Sequence, residues 1–479
     1  MNPYLKTLSS KMYLAGNFIS KPVEKSYQIQ SPLSEYQNFS NQVNLANIAN
    51  ANIEDAKLAV NSAYDIFDYW KNISSLERAK YLLDIADYML KHQQDLGELL
   101  HLEQGKPLAE AIGEIAYSAS YFTWFAHQAQ SMHGETLNSP CVNKQMYTIK
   151  QAIGVCAAIT PFNFPSAMIA RKLAPALAVG CPMIIKPASD TPLSALAYGI
   201  IADEIGLPKG LLSILPADYN TSIDLGKYIC KEEKIRKLSF TGSSNVGKIL
   251  MAQCASNIKR LSLELGGNAP FIVTKYANIE NAVIDGVKNK FRNAGQTCVC
   301  TNRFFVHNDV LPQFIQKFKQ EVAKIQISPL INIKAVNKAK LLMQDAINKG
   351  AILELGGNIN GLYYEPTILT NVNDSMDIYY QEIFAPIASI ISYNDIKDVV
   401  KQANNTPYGL ASYVYTDNIN EANYFTKNLE CGMLGINTGA FSSHAFPFGG
   451  VKQSGFGKEG SIYGIDEYTI TKAVCVYEY

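Results

Sequence analysis

Apolar residues recur at helical spacing between residues 53 and 130, and Ser74 and Glu77 are placed as in a capping box. This pattern predicts a helical segment in which one helix begins after Ser74. From Gly154 onward, short apolar runs alternate with helical patterns, which predicts strands at residues 154–159, 182–186, 211–215 and 237–241. Such alternation is typical of a parallel sheet with helices on both faces.

A second alternating series runs from about residue 269 to about residue 446, with strands predicted near Phe271, Phe305, Ile390 and Tyr413. It indicates a second α/β domain. Residues 144–151 and 467–479 also alternate as strands, but neither segment has an evident partner nearby in the sequence. Because an open strand edge attracts another strand, we expect both segments to be paired in the fold.

The length of 479 residues exceeds the size of one compact core, so we expect two or three domains. Lys plus Arg and Asp plus Glu both number 42, and this zero net charge gives no sign of a nucleic-acid partner. The longest apolar stretch, residues 173–185, contains two prolines and is shorter than the ~20 residues that span a bilayer. Residues 1–20 lack the apolar core of a signal peptide. We therefore expect a soluble, cytoplasmic protein without a membrane partner.

The nine cysteines are irregularly spaced and match neither a disulfide framework nor a zinc site, so we expect reduced thiols and no metal. One of them, Cys298, stands in a small, polar run, whereas Glu264 is a lone carboxylate in an apolar run. The two are 298 − 264 = 34 residues apart and meet only in the fold. A thiolate attacks carbonyl groups, and a carboxylate whose pKa is raised by apolar neighbours activates water. The pair indicates covalent catalysis, although an isolated cysteine is more often an inert core residue.

The run 242–249 allows two interpretations. It has the Gly-x-x-x-x-Gly-Lys order of a P-loop, but Ile249 stands where a P-loop needs Ser or Thr to hold Mg²⁺. We therefore favour a strand that ends at Thr241, a turn at Gly242 and a helix that begins near Ser244. The N–H groups at the start of such a helix bind a dinucleotide pyrophosphate. A plain strand-to-helix turn without a ligand is the alternative.

Seven runs occur in a characteristic order: LEQGKPL at 102–108, ITPFNFP at 159–165, IKPAS at 185–189, SFTGS at 239–243, LELGGN at 263–268, NAGQTCVC at 293–300 and PFGG at 447–450. In these runs and over nearly its whole length, the chain resembles the aldehyde dehydrogenase superfamily, and within it the succinate-semialdehyde dehydrogenase type. The resemblance implies an α/β fold with a Rossmann-like cofactor domain (1–130 and 152–262) and an α/β catalytic domain (263–446). It also implies a small β oligomerisation element made of the arms 131–151 and 466–479, which in the family extend a neighbouring subunit's sheet. We therefore expect a homo-oligomer, either a dimer or a tetramer.

By this resemblance, Cys298 is the nucleophile that attacks an aldehyde carbon to give a thiohemiacetal. The Asn163 side-chain amide and the Cys298 backbone N–H are the expected donors to its oxygen, contacts of a kind whose loss typically costs ~10²–10³ in rate. Hydride then passes to a nicotinamide, and Glu264 activates the water that hydrolyses the resulting thioester. Considered alone, an asparagine between prolines is more often a turn residue.

The resemblance also implies a cofactor site, whose expected residues are Thr160, Pro161, Phe162, Lys186, Ser189, Gly242, Ser243, Gly247, Glu382 and Phe384. NAD-preferring relatives commonly have an acid at the place of Ser189. A carboxylate there repels a 2′-phosphate, whereas Lys186 and the Ser189 hydroxyl are suited to bind one, so we expect NADP in preference to NAD. The structural alternative for this segment is helix capping, with Thr191 as N-cap and Pro192 as the first helical residue. Ala385 replaces a glycine that is usual in the family, and a positive φ there would cost about 1 kcal/mol.

Arg171 and Arg292 match positions where succinate-semialdehyde dehydrogenases hold the far carboxylate of the substrate, and guanidinium suits a carboxylate bidentately. Ser442 is expected to add a hydroxyl. A salt bridge at a domain interface is the structural alternative for either arginine. The resemblance thus predicts NAD(P)-dependent oxidation of succinate semialdehyde to succinate. The alternatives are another short aldehyde, such as glutarate semialdehyde, or a family member without turnover.

Cys298 and Cys300 form a Cys-Val-Cys pattern that is found in succinate-semialdehyde dehydrogenases, some of which use it as a redox switch. In an extended segment the two Cα atoms lie roughly 6.6 Å apart, near the upper limit for a disulfide, so a bridge would be easily reduced. A second buried cysteine is the alternative. Relatives also have a longer segment between Ile325 and Pro329, so we expect a shortened surface loop there.

Overall fold

The computed structural model of the protein describes residues 2–35, 44–326 and 328–477. Two large sheets and one smaller sheet organise the chain. The α-helices are Pro3–Leu8, Ile53–Asn72, Ser75–Lys91, Gln93–Gln104, Leu108–Ser131, Ala167–Val179, Pro192–Glu204, Tyr219–Lys231, Ser244–Cys254, Ile279–Phe291, Leu311–Val322, Ile333–Asn348, Asp377–Tyr380, Ile396–Asn404, Ile419–Asn428 and Tyr463–Asp466.

The first sheet has eight strands, in the order Asn17–Ser20, Lys11–Leu14, Leu212–Ile214, Met183–Lys186, Val155–Ile159, Ile235–Thr241, Arg260–Glu264 and Gly455–Phe456. The five strands from Leu212–Ile214 to Arg260–Glu264 are parallel. Strand Val155–Ile159 is buried throughout, and its alternate residues face opposite cores, as Cys156 and Ala157 do. Burial on both faces is the reason that continuous apolar runs predict these strands.

The strand order reverses next to Val155–Ile159. From this strand the chain passes through Met183–Lys186 to Leu212–Ile214 on one side, and it then returns to Ile235–Thr241 on the other side. Ligands of open α/β sheets bind at the carboxyl ends of the strands beside such a reversal. The segments that follow the two strands at the reversal are therefore placed to bind a cofactor.

The second sheet has seven strands, in the order Ile352–Leu355, Thr367–Thr370, Ile387–Tyr393, Thr301–His307, Ala269–Val273, Ala411–Tyr415 and Met433–Ile436. They are parallel except for the edge strand Ile352–Leu355. Phe271 and Ile272 face opposite cores, so this sheet too is covered on both faces. The four strands predicted near Phe271, Phe305, Ile390 and Tyr413 are all present.

The two segments without an evident partner in the sequence pair with each other. Lys144–Ala152 runs antiparallel to Thr469–Tyr477 along the whole length of both strands, and Thr136–Leu137 lies on the other side of Lys144–Ala152. Two-stranded ribbons are formed by Ser26–Gln30 with Asn44–Ala49 and by Ile359–Asn360 with Tyr363–Tyr364. The strand Thr469–Tyr477 is therefore an edge of the smaller sheet.

The predicted helical segment contains four helices, and its capping box is present. The Ser74 hydroxyl accepts from the Glu77 N–H at 3.2 Å, and the Glu77 carboxylate accepts from the Ser74 N–H at 3.1 Å. The boundary predicted between residues 262 and 263 falls inside the strand Arg260–Glu264. Glu264 is thus the last residue of a strand of the first sheet.

Parts of three predictions lie outside the described residues. They are residues 1 and 36–43 of the predicted cofactor domain, Ile327 in the predicted short loop, and residues 478–479 of the predicted arm. Within the described chain, no helix is both long enough and apolar enough to cross a membrane.

Candidate active site

Cys298 lies between two cavities. Their volumes are about 320 Å³ and about 270 Å³, and both are lined by Cys298 and Met168. The larger cavity is also lined by the three residues predicted to bind substrate, Arg171, Arg292 and Ser442. The smaller cavity is lined by residues at the carboxyl ends of the first sheet's strands, among them Asn163, Thr241, Gly242, Ser243 and Glu264. The thiol therefore separates a space with cationic side chains from a space that reaches the predicted cofactor edge.

The loop that carries Cys298 has an unusual backbone. After helix Ile279–Phe291, three consecutive residues have positive φ: Asn293 at 51°, Ala294 at 53° and Gly295 at 75°. Residues with a Cβ in this region cost of order 1–3 kcal/mol each. A Cβ at Gly295 would lie 2.4 Å from the carbonyl oxygen of Ala385, so only glycine fits there. Contacts outside the loop must stabilise this conformation.

Hydrogen bonds of Gln296 and Asn293 supply those contacts. The Gln296 side chain accepts from the Ile331 N–H at 2.9 Å and donates to the Asn293 carbonyl at 3.1 Å. The Asn293 N–H donates to the Glu110 carboxylate at 3.0 Å. Because Glu110 lies on helix Leu108–Ser131, the loop is tied to both large domains.

Asn163 follows strand Val155–Ile159 and is buried beside this loop. Its side-chain Nδ2 donates to the Gln296 carbonyl at 2.9 Å, and its Oδ1 accepts from the Phe164 N–H at 3.1 Å. A primary amide has two N–H donors, so a second one remains for an oxygen in the cavity that Asn163 shares with Cys298. The arrangement suits the predicted oxyanion site.

Glu264 is buried at the end of its strand, and among the described residues neither of its carboxylate oxygens has a hydrogen-bond partner. Burial raises its pKa well above the ordinary value, and the negative charge of Glu459 raises it further. The positive charge of Lys172 opposes this effect. Its Nζ lies against the Glu459 carboxylate and donates to the Thr241 hydroxyl at 2.6 Å. A carboxyl group with a raised pKa in the same cavity as the thiol is suited to take a proton from water.

Burial raises the pKa of Cys298 to about 12, even though the nearby Arg171 guanidinium lowers it. The thiol is therefore protonated near neutral pH in this state, and a base must accept its proton before attack. Cys300 is buried, and its thiol donates to the Lys290 carbonyl at 3.4 Å. All nine cysteines are free thiols, so no Cys298–Cys300 bridge is present and the redox switch stays a prediction.

At the predicted cofactor edge, the strand ends at Thr241 and the helix begins at Ser244, as the sequence predicts. The Ser243 hydroxyl caps this helix by accepting from the Val246 N–H at 3.4 Å. Gly247 allows the helix to pack closely against Leu265, because a Cβ at Gly247 would lie 2.6 Å from the Leu265 side chain. Thr160, Pro161 and Phe162 follow the neighbouring strand, and the last two line the smaller cavity.

Glu382 and Phe384 line the far wall of this cavity. The Glu382 carboxylate accepts from the Gly267 N–H at 3.0 Å, and the Phe384 ring lies edge-on to Phe162 with centroids 6.0 Å apart. The strain considered for Ala385 is absent, because the positive φ of 55° falls on Phe384. Alanine in place of glycine therefore carries no backbone cost at this position.

Lys186 and Ser189 lie farther from the thiol. The Lys186 Nζ donates to the Pro187 carbonyl at 2.9 Å, and burial lowers its pKa to about 8. The Ser189 hydroxyl is 3.4 Å from the Ser222 hydroxyl and lines a separate cavity of about 400 Å³ that also contains Asp218. Neither residue lines the cavities at Cys298.

Helix capping after Ser189 agrees with the prediction in position, because Thr191 is the N-cap residue, but not in its hydrogen bonds. Pro192 is the first residue of helix Pro192–Glu204 as expected, but the Thr191 hydroxyl makes no capping bond. The cap comes from Glu103 on another helix, whose carboxylate accepts from the N–H groups of Leu193 and of Ser194, the latter at 2.9 Å. A carboxylate at this position also interacts favourably with the helix dipole.

Arg171 is buried in the wall of the larger cavity. Its Nη2 donates to the Tyr117 hydroxyl at 2.6 Å, whereas Nε and Nη1 have no hydrogen-bond partner in the described part of the chain. The carboxylate of Glu459 is 3.7 Å from Nη1, so a salt bridge accounts for part of this charge. Arg292 is exposed, with its guanidinium 5.2 Å from the Phe164 ring centroid. A buried guanidinium with two nitrogens that lack hydrogen-bond partners among the described residues suits an anionic group in the cavity.

A row of polar residues on helix Leu108–Ser131 was not among the residues predicted from the sequence. Glu110, Glu114 and Tyr117 all line the larger cavity, and their spacing of four and three residues places them on one helical face. Polar residues at this spacing within an otherwise apolar helix are the signal that could have identified them.

Comparison with known proteins agrees with this geometry. Residues 28–474 match the model of the "Aldehyde dehydrogenase family". A "Succinate-semialdehyde dehydrogenase [NADP(+)]" of Saccharomyces cerevisiae is 42% identical over 478 residues, which cover 97% of this chain and 94% of the yeast protein. A "3-sulfolactaldehyde dehydrogenase" of Pseudomonas putida is 41% identical over 98% of this chain and 97% of its own length.

Solved structures give the same result. The crystal structure of succinate-semialdehyde dehydrogenase from Burkholderia pseudomallei superposes with a TM-score of 0.95 at 43% identity, covering 99% of each chain. The predicted α/β fold is thereby confirmed. Because the family model spans most of the chain and the relatives match nearly all of it, the chain belongs to the aldehyde dehydrogenase family.

Proposed function

We propose that the protein oxidises succinate semialdehyde to succinate, with NADP as its preferred cofactor. The observation that carries this proposal is that Arg171 and Arg292 line the same cavity as Cys298. Two guanidinium groups attract the carboxylate of a short semialdehyde, and the aldehyde carbon then reaches the thiol. The names of the yeast relative and of the Burkholderia structure support this substrate.

In the proposed reaction, the Cys298 thiol gives its proton to solvent water, and its sulfur bonds to the aldehyde carbon, whose oxygen becomes negative. The Asn163 amide and the Cys298 N–H stabilise that oxygen. NADP, held by the start of helix Ser244–Cys254 and by Glu382, would supply the hydride acceptor, and loss of a hydride from this carbon leaves a thioester. Glu264 then takes a proton from water, the hydroxide adds to the thioester carbon, and the carbon–sulfur bond breaks to release succinate.

The residues present fit a dinucleotide. The start of helix Ser244–Cys254 offers N–H groups for the pyrophosphate, and the carboxylate of Glu382 accepts only one backbone N–H in the described chain, which leaves acceptors for ribose hydroxyls. Lys186 is a buried cation whose ammonium has one hydrogen-bond acceptor, the Pro187 carbonyl, among the residues that the structure describes. The 2′-phosphate of NADP, bound beside Ser189, would accept further hydrogen bonds from the Lys186 ammonium. This favours NADP over NAD.

We further propose a cytoplasmic homo-oligomer. Support comes from the edge strand Thr469–Tyr477 and from exposed apolar side chains on the two arms, such as Val142 at 89% and Ile470 at 44% exposure. A sheet edge with apolar side chains suits addition of a strand from a second copy.

A second candidate is oxidation of another short anionic aldehyde, such as glutarate semialdehyde. It is favoured by the relative named for 3-sulfolactaldehyde, because a sulfonate and a carboxylate are both bound by guanidinium. A family member without turnover is disfavoured, since Cys298, Glu264 and Asn163 all line one cavity.

Rapid-mixing measurements of NADPH formation test the assignment. Cys298→Ala is expected to give no burst, whereas Glu264→Gln is expected to give one turnover and then stall at the thioester. Steady-state turnover equal to that of the unmodified protein in either variant would contradict these roles. Initial rates with succinate semialdehyde, glutarate semialdehyde and 3-sulfolactaldehyde, each with NADP and NAD, then rank substrate and cofactor.

A further inference from the structure

A buried ion pair lies directly behind Asn163. The Lys106 ammonium is 2.6 Å from the Glu114 carboxylate, and the two side chains are 0% and 1% exposed. The same ammonium donates to the Asn163 backbone carbonyl at 2.7 Å and lies 3.8 Å from the Phe164 ring centroid. Two of these three contacts of the cation are therefore with Asn163 and the residue after it.

The second oxygen of Glu114 continues the arrangement. It accepts from the N–H groups of Ser166 at 2.9 Å and of Ala167 at 3.1 Å, at the start of helix Ala167–Val179. That helix has no side-chain cap of its own from Ser166, so the carboxylate of Glu114 supplies it. The helix carries Met168 and Arg171, which line the cavities at Cys298.

The presence of a buried ion pair such as Lys106–Glu114 is poor evidence that the pair stabilises the fold. Removing two charges from water is costly, and apolar replacements of buried ion pairs are often neutral or stabilising. Here, however, each charged group also satisfies backbone groups in the turn between strand Val155–Ile159 and helix Ala167–Val179. The contacts therefore fix one particular geometry of that turn.

We infer that Lys106 is a positioning residue for the oxyanion donor: through its hydrogen bond to the Asn163 carbonyl, it holds the Asn163 amide where the thiohemiacetal oxygen develops. The inference rests on the proposed function, in which Asn163 is that donor. Lys106 acts through Asn163 and does not touch the substrate, because it is absent from the lining of both cavities at Cys298.

The test is a double-mutant cycle between Lys106→Met and Asn163→Ala, read as the rate of the NADPH burst with succinate semialdehyde. Lys106→Met alone is expected to slow the burst about tenfold or more, within the ~10²–10³ that loss of an oxyanion donor typically costs. In the Asn163→Ala background the same substitution is expected to change the burst less than twofold, since no amide remains to be positioned. If Lys106→Met slowed the burst by the same factor with Asn163 present and in the Asn163→Ala variant, the inference would be overturned.

Alkylation of Cys298 by iodoacetamide separates positioning from general damage. This reaction needs the thiol but no oxyanion donor, so its rate is expected to stay within twofold of the unmodified protein in Lys106→Met. A parallel loss of alkylation and burst would mean that the loop itself is displaced, and would also overturn the inference. If Asn163→Ala alone leaves the burst unchanged, the proposed role of Asn163 fails first, which is a distinguishable result.

Two further variants guard against misfolding. Lys106→Met leaves Glu114 without its partner, so Lys106→Met combined with Glu114→Gln keeps the turn uncharged and is expected to show the same loss of burst. Lys237→Met is the matched control: Lys237 is also fully buried and paired, with Glu467 at 3.1 Å, but it contacts neither Asn163 nor the cavities. It is expected to lower thermal stability and leave the burst rate unchanged. An equal loss of burst in Lys237→Met would show that any broken buried pair produces the effect.

Discussion

The Asn293 side-chain amide donates to the carbonyl oxygen of Asn163 at 2.9 Å, although the two residues belong to different large domains. A second hydrogen bond runs in the opposite direction: the Asn163 side-chain amide donates to the carbonyl of Gln296, in the same loop as Asn293, at 2.9 Å. The nucleophile's loop and the proposed oxyanion donor are thus one hydrogen-bonded unit. Asn293 makes this contact at φ 51°, a conformation that asparagine adopts more readily than most residues.

Replacement of Asn293 is expected to lower kcat by about two- to tenfold, because a buried hydrogen bond of ~0.5–1.5 kcal/mol that orients the donor is lost. Asn293→Ala removes the amide and keeps the strain of the positive φ. Asn293→Gly removes the amide and relieves that strain. Steady-state kcat with succinate semialdehyde should fall to a similar extent in both variants. If Asn293→Gly retains full activity, strain and not the amide is the important property.

Local relationships in this fold were predictable, and distant ones were not. Ser74 and Glu77 are three residues apart, and their capping box was evident from the sequence. The cap of helix Pro192–Glu204 comes from Glu103, about ninety residues earlier, so the sequence pattern pointed to Thr191 instead. A local sequence pattern indicates the conformation that nearby residues favour. The cap from Glu103 depends instead on how two helices pack against each other.

The candidate site likewise contains residues that could be identified from the sequence and contacts that only the structure shows. Cys298, Glu264 and Asn163 were identified because each stands in a distinctive run, and they do line one cavity. Lys106 stands in an equally distinctive run, but its role follows only from its contact with Asn163, fifty-seven positions away. Whether Ala385 needs a positive φ was not decided by the sequence, and in the structure the positive φ falls on Phe384.

The raised pKa of Glu264 predicts a pH-dependent stability difference. The folded protein retains the Glu264 proton above the ordinary pKa of 4.5, so this group's contribution to stability is complete below that pH and is lost as the pH rises through the folded-state pKa. Glu264→Gln cannot ionise and lacks this loss. Urea unfolding at a series of pH values should show the variant gaining stability relative to the unmodified protein as pH rises above 4.5. A difference that is constant with pH would mean that the pKa is not raised.

Cofactor preference is expected to change at Ser189. Ser189→Glu places a carboxylate where the 2′-phosphate is proposed to bind and offers hydrogen bonds to a free ribose diol, so the ratio of kcat/KM for NADP to that for NAD should fall at least tenfold. Ser189→Ala is the control, because it removes the hydroxyl without adding charge and should change the ratio only a few-fold. An unchanged ratio in Ser189→Glu would show that the 2′-phosphate binds elsewhere.

The final prediction separates a substrate clamp from a structural arginine. Arg171→Ala and Arg292→Ala should each raise KM for succinate semialdehyde strongly, because a charge-assisted hydrogen bond is worth ~1.5–3 kcal/mol. Uncharged butanal has no carboxylate to lose, so its kcat/KM should change little in either variant. Tyr117→Phe provides a finer test: its hydroxyl accepts from Arg171 Nη2 at 2.6 Å, and its loss should raise KM for the semialdehyde without affecting butanal. Arg171 also lies 3.7 Å from Glu459, so a purely structural role would lower kcat/KM for both aldehydes in parallel and would exclude the clamp at that position.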